Sequence, residues 1–155
     1  MAARTAALLR TAFLLTGDTE GARDLVQTAL ERVARRLGQI RDEGALEAYV
    51  RATIASTAVN GRRRMWSREY ATDHLPELAV EDAARGSDVR LTVLAALRAL
   101  PPAQRAVIVL RFYDDLTEEQ TAHALSVPVG TVKSRTARAL VSLRASDLAL
   151  EWSGM

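Results

Sequence analysis

The residues best suited to binding chemistry lie on one predicted helix near the C-terminal end of the sequence. They combine positive charge with hydroxyl groups at helical spacing, and no acidic residue occurs between Val127 and Arg144. Such a face can donate hydrogen bonds to phosphates and to base edges in the major groove of DNA. The face consists of Thr131, Lys133, Ser134, Arg135 and Arg138.

The segment from Leu116 to Leu143 predicts a helix-turn-helix that positions this face. Thr117 and Gln120 have the spacing of a capping box at the start of a first helix. Pro128 ends that helix and suits the start of a second one. An ordinary amphipathic helix with a solvated basic side is the alternative. The missing acidic residues and the capped helix before the turn favour DNA binding. The apolar stripe of the second helix consists of Val132, Thr136, Ala139, Leu140 and Leu143.

The composition predicts an all-α, cytoplasmic protein. The 155 residues are 48% hydrophobic with a formal net charge of +2, which excludes wholesale disorder. The absence of cysteine excludes disulfides and thiolate chemistry. No apolar run is long enough to cross a membrane. His74 and His123 have no companion ligands, so we expect no metal, no cofactor and no enzyme active site.

The upstream sequence predicts three helices with period-3.6 apolar stripes, and the stripe of the second helix includes Leu25, Leu30 and Leu37. They span 2–15, 19–37 and about 45–63, with Asp18 or Thr19 capping the second and Gly38 ending it in a left-handed conformation. Two more helices, 89–100 and 103–113, flank a proline pair, and Tyr113 is expected in the core. The sequence therefore divides into a helical unit at 1–70, a flexible acidic linker at 71–88, a second helical unit at 89–146 and a tail at 147–155.

A basic cluster follows the third helix, from Arg62 to Arg68. It contains four arginines and Trp66, and no acidic residue. A solvated helix end explains such a cluster, because cations suit a helix C-terminus. A patch that follows phosphates, with the tryptophan stacking on bases, explains it equally well. The cluster alone does not decide between the two.

The motifs resemble the extracytoplasmic-function (ECF) sigma factors, small bacterial subunits that direct RNA polymerase to promoters. Residues 127–135, reading VPVGTVKSR, and residues 97–105, reading LRALPPAQR, are similar to the family's DNA-binding region 4. Residues 24–29, reading DLVQTA, resemble the helix of region 2 that grips the polymerase clamp. The stretch from Tyr49 to Arg64 resembles the promoter-melting helices of region 2. The resemblance covers nearly the whole chain.

The resemblance implies roles for three groups of residues. The basic face of the second motif helix would read the −35 promoter element, with Thr131 near phosphate. Core RNA polymerase would be bound by Asp24, Gln27 and Glu31. The unpaired −10 strand would be held by Ser56, Asn60, Arg62, Arg63, Arg64 and Trp66. An anti-sigma factor is an expected further partner, and no membrane contact is expected.

Two other functions fit part of the sequence. A stand-alone helix-turn-helix regulator would use the N-terminal unit to dimerise or to sense a signal. A helical binding protein that sequesters a partner would not depend on Arg135 or Arg138. The clamp-like helix and the cluster at Arg62–Arg68 favour the sigma factor, because a dimerising regulator needs neither.

Overall fold

The computed structural model describes residues 2–66 and 88–145, with side chains described for 4–60 and 92–145. These residues form helices joined by turns, without a strand among them, so the all-α prediction is confirmed. The predicted linker and tail lie almost wholly outside the described residues. The helices are α1 (Ala2–Thr16), α2 (Thr19–Ala34), α3 (Glu43–Trp66), α4 (Asp88–Ala99), α5 (Pro102–Ile108), α6 (Glu118–Leu125) and α7 (Val129–Ala145).

The turn between α1 and α2 has the predicted cap. The carboxylate of Asp18 accepts a hydrogen bond from the backbone N–H of Gly21, which satisfies one of the free donors at the start of α2. Gly17 has a φ of +87°, and its N–H donates to the carbonyl of Phe13 at 2.7 Å. A side chain at Gly17 would be strained in this left-handed conformation.

The predicted end of the second helix is wrong. α2 ends at Ala34, and Leu37–Gln39 form a separate 3₁₀ turn. Gly38 is not left-handed, since Gly17 is the glycine with positive φ among the described residues. The side chain of Leu37 is 54% exposed. Because no core contact holds the last predicted turn, the helix ends early.

The helix predicted over 103–113 changes its winding halfway. α5 ends at Ile108, and Val109–Tyr113 continue as a π-helical segment in which Asp114 N–H donates to the Val109 carbonyl at 3.0 Å. A π turn holds one residue more than an α turn, which rotates the residues after it. Tyr113 is therefore 45% exposed, and its predicted place in the core is wrong.

One apolar core joins the two ends of the chain. α1 packs against α2 and α3, and also contacts α4 and α5, while α3 packs against α5 and α6. The same buried cluster therefore holds residues from both predicted units. Its larger members include Phe13, Leu15, Leu25, Val26, Ile54, Leu97, Leu100, Ile108 and Leu110.

Arg105 lies inside this core and is 1% exposed. Its guanidinium donates to the carbonyls of Leu97 at 2.7 Å and Leu15 at 2.8 Å, and to those of Arg98 and Leu100 at 3.0 Å. A buried charge is tolerated only when its donors are satisfied in this way. Arg105 thus ties the end of α1 to the end of α4.

None of the helices within the described ranges has a stretch long and apolar enough to cross a membrane.

Candidate nucleic-acid interface

The corner between α6 and α7 is fixed by local sequence. Thr117 Oγ1 accepts from the N–H of Gln120 at 3.0 Å, and the Gln120 side chain accepts from the N–H of Thr117 at 2.8 Å. The predicted capping box is therefore confirmed. Ser126 ends α6 in a left-handed conformation with a φ of +56°. The N–H of Val127 donates to the Ala122 carbonyl at 3.0 Å, which closes the turn.

A small second core holds the two motif helices against α5. Val107 of α5, Ala122 of α6 and Val132 of α7 are buried together. Leu125, Val127 and Val129 pack around them. The angle between the motif helices is therefore set by side chains from all three helices, which makes the outward face of α7 rigid.

The structure leaves the basic side of α7 open. Lys133, Ser134 and Arg138 are exposed, and Thr131 and Arg135 are half-buried. Ser134 Oγ donates to the Thr131 carbonyl at 3.2 Å. In the part of the chain that is described, no carboxylate pairs with the three basic side chains. The opposite side of the helix buries Val132, Thr136, Ala139 and Leu143.

The outward side of α2 presents a different surface. Asp24, Gln27 and Glu31 are all exposed, and the Gln27 amide donates to Glu31 at 3.5 Å. A shallow groove of about 410 Å³ runs between α1 and α2 beside them. Leu30 lines the groove and is 46% exposed, although its helical register suggested a core position. This side therefore offers acidic groups next to apolar surface.

The third predicted set lies along α3 and is only partly visible. Ser56 is half-buried and Asn60 is exposed. The α3 backbone runs on to Trp66. The side chains of Arg62, Arg63, Arg64 and Trp66 lie outside the described residues, so their part of the prediction is not addressed by the structure.

A cleft of about 810 Å³ lies between α2, α3 and α6. Its lining includes Arg32, Arg35 and Arg36 together with Tyr49, Thr53 and Ser56 of α3, and no carboxylate from the described residues lines it. Arg32 donates to Thr57 Oγ1 at 3.1 Å. No role was predicted for these arginines from the sequence. The sequence feature that could have indicated a basic cleft is the adjacent pair Arg35 and Arg36, one helical turn after Arg32. A cleft of this charge suits a phosphate-bearing ligand.

Asp114 is a buried acid between the two units, with a side chain 7% exposed. Its Oδ1 accepts from Thr11 Oγ1 at 3.0 Å, and Arg51 Nε lies 3.6 Å from Oδ2. Burial raises the pKa of the Asp114 carboxyl, while Thr11 and Arg51 oppose that rise and Asp115 adds to it. In the sequence, Asp114 is marked only by its acidic neighbour Asp115.

The chain matches two known families in succession. Residues 3–68 match Sigma-70 region 2, and residues 96–145 match Sigma-70, region 4. The first match contains α1 to α3, and so includes the outward side of α2 with Asp24, Gln27 and Glu31, and the predicted −10 residues along α3. The second contains the helix-turn-helix. The order of the two matches is the order expected from the sequence motifs.

Individual proteins are similar over most of the chain. The RNA polymerase sigma-E factor of Streptomyces coelicolor is 40% identical over 141 residues, which cover 91% of this chain and 80% of that protein. The ECF RNA polymerase sigma factor SigM of Mycobacterium tuberculosis is 31% identical over 137 residues, covering 88% and 69%. Among solved structures, the sigma factor RpoE of Bartonella quintana, in complex with the anti-sigma factor NepR, matches with a TM-score of 0.72. It is 22% identical and covers 94% of this chain and 92% of its own, which shows the shared fold.

Proposed function

Since this chain belongs to the ECF group of bacterial RNA polymerase sigma factors, we propose how its surfaces divide the work of that group. Sigma factors are not enzymes. As a member, the chain binds core RNA polymerase and directs it to promoters, so the polymerase supplies all catalysis. The proposed division assigns residues 1–70 to the polymerase and the −10 element, residues 71–88 to a linker, and residues 89–146 to the −35 element.

The proposed −35 reader is the basic face of α7. The observation that carries this proposal is a packed helix whose outward side has exposed Lys133, Ser134 and Arg138, with no acid of the described ranges paired to them. Half-buried Arg135 and Thr131 border the same face. An arginine in the major groove can donate two hydrogen bonds to guanine, and the hydroxyls and lysine can bond phosphates. The capped corner before α7 allows the N-terminal half of the helix to enter the groove.

The proposed −10 site is the surface of α3 with the cleft beside it. Ser56 and Asn60 offer polar groups, and Arg62, Arg63, Arg64 and Trp66 continue the same helix in sequence. We add Arg32, Arg35 and Arg36 to this site, because they line the cleft beside Ser56 and no carboxylate in the described part of the chain lines it with them. Positive charge along a groove with aromatic residues suits a single strand.

The proposed polymerase contact is the outward side of α2. Asp24, Gln27 and Glu31 form a polar row, and the groove with Leu30 adds exposed apolar surface. Interfaces of this kind combine an apolar centre with a polar rim. Acidic groups here also keep this side of the protein from binding DNA.

An anti-sigma factor is proposed as a further partner. The relative from Bartonella quintana is recorded with one, and its fold covers nearly all of this chain. We also propose that the protein works in the cytoplasm, where promoters and polymerase are found.

Reconstituted transcription distinguishes this function from a stand-alone regulator. Core polymerase freed of sigma subunits is mixed with the protein and with fragments of the source genome. We expect discrete transcripts that require both proteins. If the protein shifts duplex DNA by itself but starts no transcript on any fragment, it is a stand-alone helix-turn-helix regulator and not a sigma factor.

A further inference from the structure

The cleft between α2, α3 and α6 is large enough to hold a small molecule. Its volume of about 810 Å³ lies within the range of ordinary ligand pockets. The walls come from α2 and the turn after it, from α3, and from the end of α6, where His123, Ala124 and Ser126 lie. A molecule bound there would therefore contact three separate elements of the fold.

The α2 wall of the cleft carries the positive charge. Arg32, Arg35 and Arg36 line it, and all three side chains are exposed to solvent. The bond from Arg32 to Thr57 at 3.1 Å uses one of the five N–H donors of that guanidinium. None of the ion pairs found within the described ranges involves these arginines. Since a guanidinium can donate two parallel hydrogen bonds to a phosphate, three of them on one wall suit a chain of phosphates.

The α3 wall of the cleft has a different character. Ala45, Ala48 and Ala52 line it at spacings of three and four residues, so they share one side of the helix. Their short side chains leave room above the helix, and half-buried Tyr49 lies among them. A nucleobase packs on such a surface whatever its identity, because every base has a π-face. The α3 wall therefore suits the base of a nucleotide.

Polar groups complete the lining. Thr53 Oγ1 and Ser56 Oγ donate to carbonyls of α3 at 2.8 Å and 3.4 Å, so both oxygens can still accept hydrogen bonds from a ligand. His123 is exposed on the α6 side and can donate. No carboxylate of the described residues lines the cleft. The lining in the described part of the chain therefore attracts an anion without a negative group to repel it.

We propose that this cleft binds a nucleoside polyphosphate in the free protein. The phosphate chain contacts Arg32, Arg35 and Arg36, and the base packs on the alanine side of α3 next to Tyr49. The ligand also touches the end of α6, so it links the two units of the chain. This binding does not depend on the proposed −10 site. One consequence does rest on that site: a promoter strand and the nucleotide would exclude each other from the cleft.

Equilibrium dialysis tests the site on the full chain, without polymerase or DNA. ATP and GTP are the probes, and we expect saturable binding of one nucleotide per chain. Inorganic tripolyphosphate, which lacks the base, should bind at least about tenfold more weakly. If neither nucleotide binds saturably, the proposal is overturned. Tripolyphosphate binding as tight as that of the nucleotides would also overturn it, because the α3 wall would then contribute nothing.

Paired variants identify the arginines that hold the phosphates. Arg35→Gln with Arg36→Gln removes two guanidiniums from the cleft, whereas Arg23→Gln with Arg144→Gln removes the same charge from exposed positions outside it. We expect the nucleotide affinity to fall at least about tenfold in the first pair and less than about threefold in the second. Similar losses in both pairs would show that only net charge matters, which would overturn the proposal.

Cysteine protection locates the ligand without any change to the arginines. The chain has no cysteine, so a single introduced thiol reports on its own position. Ala48→Cys places a thiol in the cleft, and Ala95→Cys places a matched thiol on the exposed side of α4. Saturating nucleotide should slow maleimide labelling at position 48 at least about fivefold and leave position 95 unchanged. An unchanged rate at position 48 would overturn the proposal, even where the arginine variants have lost their helical circular dichroism.

Transcription enters none of these measurements. A chain that binds nucleotide in the cleft but starts no transcript with core polymerase would count against the proposed function and leave the nucleotide site intact. A chain that starts transcripts but shows neither saturable binding nor protection at position 48 would do the reverse.

Discussion

Thr11 of α1 donates a 3.0 Å hydrogen bond to Asp114, a residue 103 positions later in the chain. Arg51 of α3 lies 3.6 Å from the other oxygen of that carboxylate, and no group in residues 4–60 or 92–145 donates a hydrogen bond to this oxygen, Oδ2. The two sigma-like units therefore meet at an acid that is buried and incompletely compensated. Such a group holds the units together and also makes their contact sensitive to conditions.

The first prediction concerns the pH dependence of stability. Burial raises the Asp114 pKa in the folded protein, so the folded state binds the proton more tightly than the unfolded chain. The contribution of Asp114 to the free energy of unfolding therefore becomes more favourable as the pH falls from neutral through the raised pKa. This contribution levels off below the ordinary carboxyl pKa. Asp114→Asn keeps an acceptor for Thr11 and does not titrate. In urea unfolding, the free energy of unfolding of the variant should exceed that of the wild type by the largest amount at neutral pH. The difference should become smaller toward about pH 4. If the stability difference in favour of the variant grows as the pH falls, the raised pKa of Asp114 is contradicted.

The second prediction concerns Arg105. Arg105→Met removes the guanidinium that donates to four carbonyls at the ends of α1 and α4, so we expect the free energy of unfolding to fall by at least about 3 kcal/mol. Arg144→Met is the matched control, because that arginine is exposed at the end of α7. The control should change stability by less than about 0.5 kcal/mol. Urea denaturation measures both values, and equal losses would show that Arg105 does not secure the core.

The third prediction concerns the reading of the −35 element. Arg138→Ala and Arg135→Ala should each reduce the preference of the holoenzyme for its −35 duplex over a scrambled one by about 1–3 kcal/mol. Arg144→Ala removes the same charge from the same helix outside the proposed face. It should lower the affinity for both duplexes similarly, because only a base contact discriminates. Competition binding measures the preference. A loss of preference in Arg144→Ala as large as in Arg138→Ala would argue against the assigned face.

The fourth prediction concerns the polymerase surface. Leu30 is 46% exposed and lines the groove beside α2, whereas Leu37 is 54% exposed outside it. Leu30→Ala should weaken binding to core polymerase by about 1–2 kcal/mol, because an apolar contact at an interface centre is lost. Leu37→Ala should bind normally. Neither substitution should affect the thermal midpoint greatly. Normal polymerase binding by Leu30→Ala would place the contact elsewhere.

The sequence predicted best what depends on near neighbours. The capping box at Thr117, the Asp18 cap and the buried stripe of α7 all follow from residues three or four positions apart. Tyr113 was misplaced because a π turn depends on how its segment packs, which local periodicity does not contain. Leu30 was misplaced because a helical register cannot say whether an apolar residue meets the core or a partner.

The meeting of the two units was beyond prediction from sequence. In the sequence, Asp114 is one half of an adjacent acidic pair, and its partners Thr11 and Arg51 are distant in the chain. Arg35 and Arg36 are visible in the sequence as an adjacent pair that follows α2, but their position opposite α6 depends on the packing of three helices. The roles of Arg62, Arg63, Arg64 and Trp66 remain predictions from the family resemblance.

Mapping of transcription start sites tests the central claim most directly. Core polymerase with this protein transcribes a library of genomic fragments, and each transcript is sequenced from its first nucleotide. We predict starts at a constant distance downstream of two shared elements, with the upstream element lost from the selected set when Arg135 and Arg138 are both alanine. Starts that share no sequence elements, or a set unchanged by the double substitution, would contradict the account.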